Sequence, residues 1–228
     1  MTIQTLNTVS EFHSLMQRYK KSTNFKFRGQ SNSNWKLIPK VGRDIIKNRS
    51  DEEIFRHWKR RAKGILIKDF KYDLELLSIA QHTGLPTRLL DWSHSPLIGL
   101  FFAVVDNPNV DGALFIYRFK HQDIILDLSL SPFKITEDFK LYQPNSTINR
   151  LDNQYSYFTL HKQPNIPFEE LPLGEKIEKI IIPKDLKKEL TIMLNQYGIN
   201  YLSVYPDLEG LSKHLTWFYT NYEYWIEK

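Results

Sequence analysis

The sequence predicts an α+β fold in which a mixed or antiparallel sheet packs against several helices. Helical and strand patterns follow one another without a regular strand–helix repeat, which argues against a doubly wound parallel sheet. The chain also shows no internal repeat of fixed period. The Pro-containing stretch at 163–172 is predicted to be a surface loop rather than a linker, so residues 1–228 are expected to form a single domain.

Helices are predicted where apolar residues recur at three- and four-residue spacing between capping signals. They cover residues 9–19, 51–65, 74–82, 97–105, 184–197 and 207–217. Strands are predicted at residues 25–28, 113–119, 124–128, 177–182 and 199–205. The helix at 97–105 is apolar on all sides and is therefore expected to be buried.

The composition of the chain excludes several classes of protein and of functional site. With 41% hydrophobic and 25% charged residues, the chain is expected to be globular. It has no cysteine, which excludes disulfides, thiolate zinc sites and a cysteine nucleophile. The first residues do not show a signal-peptide pattern, and the apolar run Leu97–Val105 is too short for a membrane span, so a cytoplasmic location is expected. The net charge of +5 suits an anionic ligand such as a nucleotide or nucleic acid, or is an ordinary surface surplus.

Polar residues lie at the end of the strand predicted at 25–28 and directly after it. Arg28, placed at a strand end, projects a planar guanidinium that suits a phosphate or carboxylate. Gly29 would let a ligand approach the backbone, and Gln30 begins a polar loop. The structural alternative is a salt bridge between Arg28 and a nearby acid.

A second polar segment, residues 81–92, lies between two apolar helices. Its polar side chains, which include Gln81 and Thr87, are costly to bury unless they are paired. Either Arg88 and Asp91 form an ion pair that shapes the turn, or they line a pocket. His82 either takes part in acid–base chemistry or is a hydrogen-bonded core residue.

Two later segments carry further candidate residues. Arg150 and Gln154 lie four residues apart, so they would share one face of a helix, which is either solvated or part of a site. Asp207 is well placed as a helix N-cap. Glu209 lies in the first turn of that helix, where it either complements the helix dipole or supplies a carboxylate to a pocket.

Several common motifs are missing from the sequence. It contains no Walker-type phosphate loop, no dinucleotide-binding glycine fingerprint, no GxSxG and no His-Glu-x-x-His. The seven histidines are dispersed, so the sequence predicts no metal site.

The polar segments resemble the signature blocks of the FRG domain family. The blocks are Phe27-Arg28-Gly29-Gln30 followed by Trp35, Leu37 and Pro39; Gln81 to Trp92 followed by Ser95-Pro96-Leu97 and Phe101-Phe102-Ala103; Arg150 with Gln154 and Phe158; and Tyr205 to Leu211. Tyr205 and Glu209 stand where the family has Phe and Asp. The blocks span residues 25–215, and the second is the most specific. The resemblance implies a role as a toxin or phage-defence effector, with an antitoxin or another defence-system protein as a partner.

The order of the polar segments is also similar to that of the ADP-ribosyltransferase superfamily. In that superfamily an arginine or histidine on an early strand is followed by a polar segment before an apolar helix, and then by a late acidic residue. Arg28, residues 87–95 and Glu209 follow the same order. The likeness implies that NAD is the substrate, for ADP-ribosyl transfer or glycohydrolysis. Arg28 would hold the pyrophosphate or ribose, and Glu209 or Asp207 would stabilise the oxocarbenium-like transition state.

Two other functions fit the same residues. In a metal-independent ribonuclease, or another toxin directed at nucleic acid, His82 would act as the base, with Arg28 and Arg88 on the scissile phosphate. In a non-enzymatic module, the polar blocks would hold an anionic ligand or a partner protein.

Overall fold

The computed structural model describes residues 1–43, 50–66, 69–144, 156–173 and 177–221. The strands in these ranges are β1 (Thr2–Thr5), β2 (Phe25–Gln30), β3 (Leu89–Ser93), β4 (Gly112–Arg118), β5 (Phe139–Tyr142), β6 (Ser156–His161) and β7 (Glu178–Ile182). The α-helices are α1 (Val9–Met16), α2 (Asp51–Ala62), α3 (Asp73–His82), α4 (Pro96–Val104), α5 (Lys184–Gln196), α6 (Tyr201–Val204) and α7 (Leu208–Asn221).

The strands form one seven-stranded sheet in the order β1-β7-β4-β2-β3-β6-β5. β1 is parallel to β7, and the other neighbouring strands are antiparallel. The sheet is therefore mixed, which confirms the predicted α+β fold class. Among the helices of the described ranges, none is both long enough and apolar enough to cross a lipid bilayer.

Helices cover the sheet through separate apolar clusters. α1, α4 and α5 pack on β2, β4 and β7, with Phe12, Phe101 and Leu190 fully or almost fully buried at their centre. α2 and α3 pack over β3, β5 and β6. A third cluster, rich in aromatic residues, includes Trp92 and Phe115 on the strands. Burial of this apolar surface is the main term that stabilises the fold.

The sheet is weakly paired at its centre, between β2 and β3. A single residue pair, Phe27 with Ser93, joins these strands. By contrast, β2 pairs with β4 from Phe25 to Gln30, and β3 pairs with β6 from Leu89 to Ser93. The ends of β2 and β3 beyond that pair are therefore free to frame an opening, which we call the β2–β3 split.

Gly29 allows β2 to lie directly against α4. A Cβ atom at residue 29 would overlap the carbonyl oxygen of Gly99 and would lie 2.6 Å from the backbone nitrogen of Ala103. Both obstacles are backbone atoms, which cannot rotate away as a side chain can. Gly29 is thus required by the contact between strand and helix, a role that is independent of any ligand.

Sequence patterns placed several element boundaries correctly. The predicted helix start at residue 51 is confirmed, because the Ser50 side chain accepts a hydrogen bond from the Glu53 amide at 3.1 Å and caps α2. The predicted helix end at residue 82 is confirmed as well, and Gly84, two residues later, has a φ of 101°.

Other predicted elements were wrong. Residues 201–204 form α6 rather than a strand, because the Asn200 side chain caps the Ser203 amide and starts a helical turn. At 124–128 there is only an isolated bridge between Ile124 and Leu141. β3 begins within the polar segment 81–92, where no strand was predicted. Its apolar residues point to both faces of the sheet, so they lack the alternation of a half-buried strand.

A buried ion pair joins α2 to the start of β3. The Arg88 guanidinium donates to both carboxylate oxygens of Asp51, at 2.6 and 2.8 Å, and both side chains are only 10% exposed. Arg88 also lies over the ring of Phe133, 4.9 Å from its centroid. Asp51 is the first residue of α2, where a negative charge is favourable. This pair therefore anchors the helix to the sheet.

We expect Gly29→Ala to destabilise the protein. The added methyl group would force β2 and α4 apart, and overpacking of this kind costs about 1–3 kcal/mol. Urea unfolding of the variant, followed by circular dichroism, should show a lower midpoint. The matched control is Gly64→Ala, because a Cβ at residue 64 has no atom within 4 Å. Equal midpoints for the two variants would contradict the close packing of strand and helix.

Asp51→Asn should also destabilise the fold, because it leaves the buried Arg88 charge without its carboxylate partner. Breaking a buried pair from one side costs about 3–5 kcal/mol. As a control, Glu170→Gln breaks the exposed pair of Lys36 and Glu170, whose side chains are 60% and 53% exposed. The control should cost no more than about 1 kcal/mol. Similar losses of unfolding free energy in both variants would refute the anchoring role of Arg88.

Candidate functional site

The β2–β3 split opens into a cavity of about 370 Å³. This volume falls within the range of about 300–1,000 Å³ that is usual for small-molecule sites. Residues of β2, the end of α3, β3 and α4 line it, together with residues from the segment that follows β2. The polar and charged side chains among them include Arg28, Lys40, Arg43, Gln81, His82 and Asp91.

Arg28 bridges the two strands where their ladder stops. Its NH1 group donates to the backbone carbonyl of Asp91 at 2.7 Å and lies 3.5 Å from Asp91 Oδ2. The guanidinium thus replaces a backbone donor that β2 does not supply. The side chain is 14% exposed, and its buried Nε has no hydrogen-bond partner in the described ranges. Burial lowers the pKa of Arg28, and the charge of Asp91 raises it.

Asp91 is held from the opposite side by Gln81. The Gln81 amide nitrogen donates to Asp91 Oδ1 at 2.8 Å, and the Gln81 side-chain oxygen bonds to the Thr87 hydroxyl. The Asp91 side chain is nevertheless 59% exposed. A carboxylate of fixed orientation therefore faces the cavity.

Two further cations stand on one side of the cavity. Lys40 and Arg43 flank a turn of 3₁₀ helix at Lys40–Gly42, where residues three apart align on the same side. Lys40 Nζ donates to the Gly84 carbonyl at 3.1 Å, and Arg43 Nε donates to the Ile38 carbonyl at 2.9 Å. Burial lowers the pKa of Arg43, while the negative charge of Asp91 acts in the opposite direction. Within the described part of the lining, they and Arg28 place three positive charges beside one carboxylate, that of Asp91.

The lining also includes a pair of aromatic rings in contact and a histidine. Phe102 of α4 and Tyr205, just after α6, meet edge to face with ring centroids 6.3 Å apart. Their rings can contact a planar heterocycle. His82, the last residue of α3, lines the cavity as well.

The structure brings together only part of the residue set expected from the sequence. Arg28, Gly29, Gln81, His82 and Asp91 line the cavity. The other expected residues in the described ranges do not; they are Gln30, Thr87, Arg88, Asp207 and Glu209.

Two of these residues are buried beside the site. Gln30 is 4% exposed and donates to the Lys36 carbonyl at 3.3 Å. Thr87 is 2% exposed and contacts Gln81 from behind. Arg88 does not pair with Asp91 as one interpretation proposed, because Asp51 holds its guanidinium on both oxygens.

The late acidic residues have structural positions at the start of α7. Asp207 Oδ1 accepts from the Gly210 amide at 2.8 Å, which is the capping geometry that the sequence indicated. Glu209 is 74% exposed and lies 2.7 Å from Lys213, one helical turn further along α7. Arg150 and Gln154 lie outside the described residues.

Lys40 and Arg43 were missed by sequence reasoning. The signal was their three-residue spacing directly after Pro39, which aligns both side chains if the segment is a 3₁₀ turn. Nothing in the local pattern distinguished that turn from an ordinary solvated loop. In the described ranges, no group of three or more His, Asp or Glu side chains is placed to hold a metal ion.

The arrangement can bind an anion and stabilise a developing positive charge. Buried or partly buried guanidinium groups bind phosphate strongly, since their hydrogen bonds are charge-assisted. An oriented carboxylate in the same cavity stabilises a cationic transition state. Both functions depend on the β2–β3 split.

Comparison with known families supports the resemblance seen in the sequence. Residues 23–112 match the family model of the FRG domain. That segment contains β2, α2, α3, β3 and α4, which carry most of the described cavity lining, whereas Phe158 and Tyr205 lie outside it. Neither curated proteins nor solved structures gave a match to the chain. The match to the FRG domain is therefore limited to residues 23–112.

Proposed function

We propose that the cavity binds NAD and breaks the bond between its nicotinamide and ribose, by ADP-ribosyl transfer or by glycohydrolysis. One observation carries the proposal: the carboxylate of Asp91 stands in the same cavity as three cationic side chains and the aromatic rings of Phe102 and Tyr205. A dinucleotide with a planar, positively charged leaving group needs each of these features.

The cations would hold the pyrophosphate. Arg28 lines the cavity with a side chain that is 14% exposed, so the accessible part of its guanidinium can donate charge-assisted hydrogen bonds to a phosphate oxygen. Lys40 and Arg43 carry the remaining positive charge of the described lining, and their hydrogen bonds go to the backbone carbonyls of Gly84 and Ile38. Their charges would also attract the anion before it docks.

The rest of the cavity would take the nicotinamide riboside. Phe102 and Tyr205 offer aromatic surface to the pyridinium ring. The volume of about 370 Å³ lies at the lower end of the range for small-molecule sites, so one half of the dinucleotide would be enclosed and the other would extend beyond the cavity.

The reaction would break the C1′–N bond of the ribose. Nicotinamide leaves with the bonding electron pair, which neutralises its ring, and positive charge develops on C1′ and the ring oxygen. The Asp91 carboxylate would stabilise that charge. Water, or the hydroxyl or amine of an acceptor, then attacks C1′ and loses its proton to Asp91 or His82.

Asp91 takes the role that the sequence order had given to Glu209. Glu209 is exposed and paired with Lys213 on α7, away from the cavity lining. Asp91 is held by Gln81 and faces the ligand volume. Electrostatic stabilisation needs a charge that is fixed in place, and Asp91 meets that condition better.

The ribonuclease hypothesis retains one specific support, which is that His82 and Arg28 line the same cavity. It loses Arg88, whose guanidinium is bound to Asp51. A toxin or defence role is compatible with either chemistry. In both cases Arg28→Ala should relieve any growth inhibition on expression.

Asp91→Asn should lower the turnover number for nicotinamide release from NAD by about 10²–10³-fold, because it removes the stabilising charge and keeps the shape of the side chain. Chromatographic measurement of nicotinamide, with DNA, RNA or protein offered as acceptors, would show this. Glu209→Gln is the matched comparison, since it neutralises an exposed carboxylate.

Two outcomes of the comparison between Asp91→Asn and Glu209→Gln would contradict the proposal. Loss of activity in Glu209→Gln with full activity in Asp91→Asn would move the chemistry to α7. Absence of nicotinamide release by the wild-type protein, together with cleavage of total RNA in the presence of a chelator, would replace the proposal by the ribonuclease.

The double variant Lys40→Ala with Arg43→Ala should bind NAD about 10–100-fold more weakly, because a hydrogen bond to a charged group contributes about 1.5–3 kcal/mol. Isothermal titration at two salt concentrations would measure the loss. The matched control, Lys20→Ala with Lys21→Ala, removes the same net charge from another cavity. Equal weakening in both double variants would show a general charge effect and no specific phosphate site.

A further inference from the structure

We infer that Thr87 and Gln81 position the Asp91 carboxylate, so that one of its oxygens is held by the protein and the other is presented to the ligand. This inference rests on the proposed function, since it explains how Asp91 is oriented for that chemistry. Thr87 is 2% exposed and lies outside the cavity lining. It therefore acts through Gln81 and is a positioning residue.

Hydrogen bonds connect Thr87 to Gln81 and Gln81 to Asp91, and the donor and acceptor in each are fixed by the groups at the two ends of this series. The Leu89 amide donates to Thr87 Oγ1 at 3.1 Å, so the Thr87 hydroxyl hydrogen is free to donate to the Gln81 side-chain oxygen. At the far end, the ionised carboxylate of Asp91 can only accept, so the Gln81 atom that faces it must be the amide nitrogen. The two ends select the same orientation of the Gln81 amide.

In this orientation the two carboxylate oxygens of Asp91 have different contacts. Oδ1 accepts from Gln81 at 2.8 Å, a normal hydrogen bond. Oδ2 lies at the longer distance of 3.5 Å from Arg28. The carboxylate thus retains one loosely held oxygen on a side chain that is 59% exposed. That oxygen is the one available to a positive charge on the ribose.

These hydrogen bonds also link two elements of the fold across the site. Gln81 lies in the last turn of α3, and Asp91 lies on β3 beside the split. Because Thr87 sits on the connection between them, a backbone donor at Leu89 sets the rotamer of a side chain on the helix. Misplacement of a reacting group by about 1 Å can cost about 10²-fold in rate, so this device matters for catalysis.

The test compares Thr87→Val with Thr87→Ser. Valine keeps the size of the side chain and removes the hydroxyl, so the Gln81 amide is no longer held. We expect a fall of up to about 10²-fold in the turnover number for NAD, with the KM little changed, and recovery in Thr87→Ser. A fall in both variants, or a rise in KM without a fall in turnover, would overturn the positioning role.

Hydrogen exchange of the Gln81 side-chain amide gives a second readout that does not need activity. The NMR resonance of this amide is identified by its absence from the spectrum of Gln81→Met. It should exchange slowly in the wild type and in Thr87→Ser, and faster in Thr87→Val. Exchange that is equally fast in all three proteins would overturn the inference.

The two readouts separate the inference from the proposed function. If the wild type releases no nicotinamide, the proposed function fails, and the amide measurement alone decides whether Gln81 is held. If Thr87→Val does not fold, Gln81→Met tests the same link, since it removes the donor to Asp91 and leaves the Thr87–Leu89 contact in place. Full turnover in Gln81→Met would contradict the inference.

Discussion

The contact between Arg28 and the backbone of Asp91 is the interaction on which the site depends. A continuous ladder between β2 and β3 would close the centre of the sheet, but these strands share only the pair of Phe27 and Ser93. Arg28 spans the gap at 2.7 Å and keeps the strands in one sheet. Arg28, which joins the two strands, is also a partly buried cation of the cavity lining. The same guanidinium therefore contributes to stability and to ligand binding.

The neighbouring elements fix the geometry of this opening. Gly29 lets α4 lie against β2, which brings Phe102 to the cavity. The buried pair of Arg88 and Asp51 ties α2 to the chain just before β3. The Gln81 amide then holds Asp91 from the side of α3. Each constraint joins a different helix to one of the two diverging strands, so contacts with the helices hold the cavity walls although the strands share one residue pair.

The sequence predicted the outline of the fold and part of the site. Helix caps such as Ser50 and the buried helix α4 were predictable because capping and apolar character are local properties. β3 and α6 were not, since burial on both faces hides the strand pattern and a side-chain cap overrides β-propensity. The polar residues Arg28, Gln81 and Asp91 stood out in the sequence. Their partners depended on tertiary contacts, and for that reason Arg88 was matched with the wrong acid and Lys40 was missed.

The central claim is that NAD occupies the β2–β3 split with its pyrophosphate on the cations and its ribose beside Asp91. A crystal structure of Asp91→Asn soaked with NAD tests this most directly, because the variant should hold the substrate without turning it over. The account predicts phosphate oxygens within hydrogen-bond distance of the Arg28 guanidinium, and the nicotinamide ring against Phe102 and Tyr205. An empty cavity at saturating NAD, or a dinucleotide bound at another surface, would contradict it.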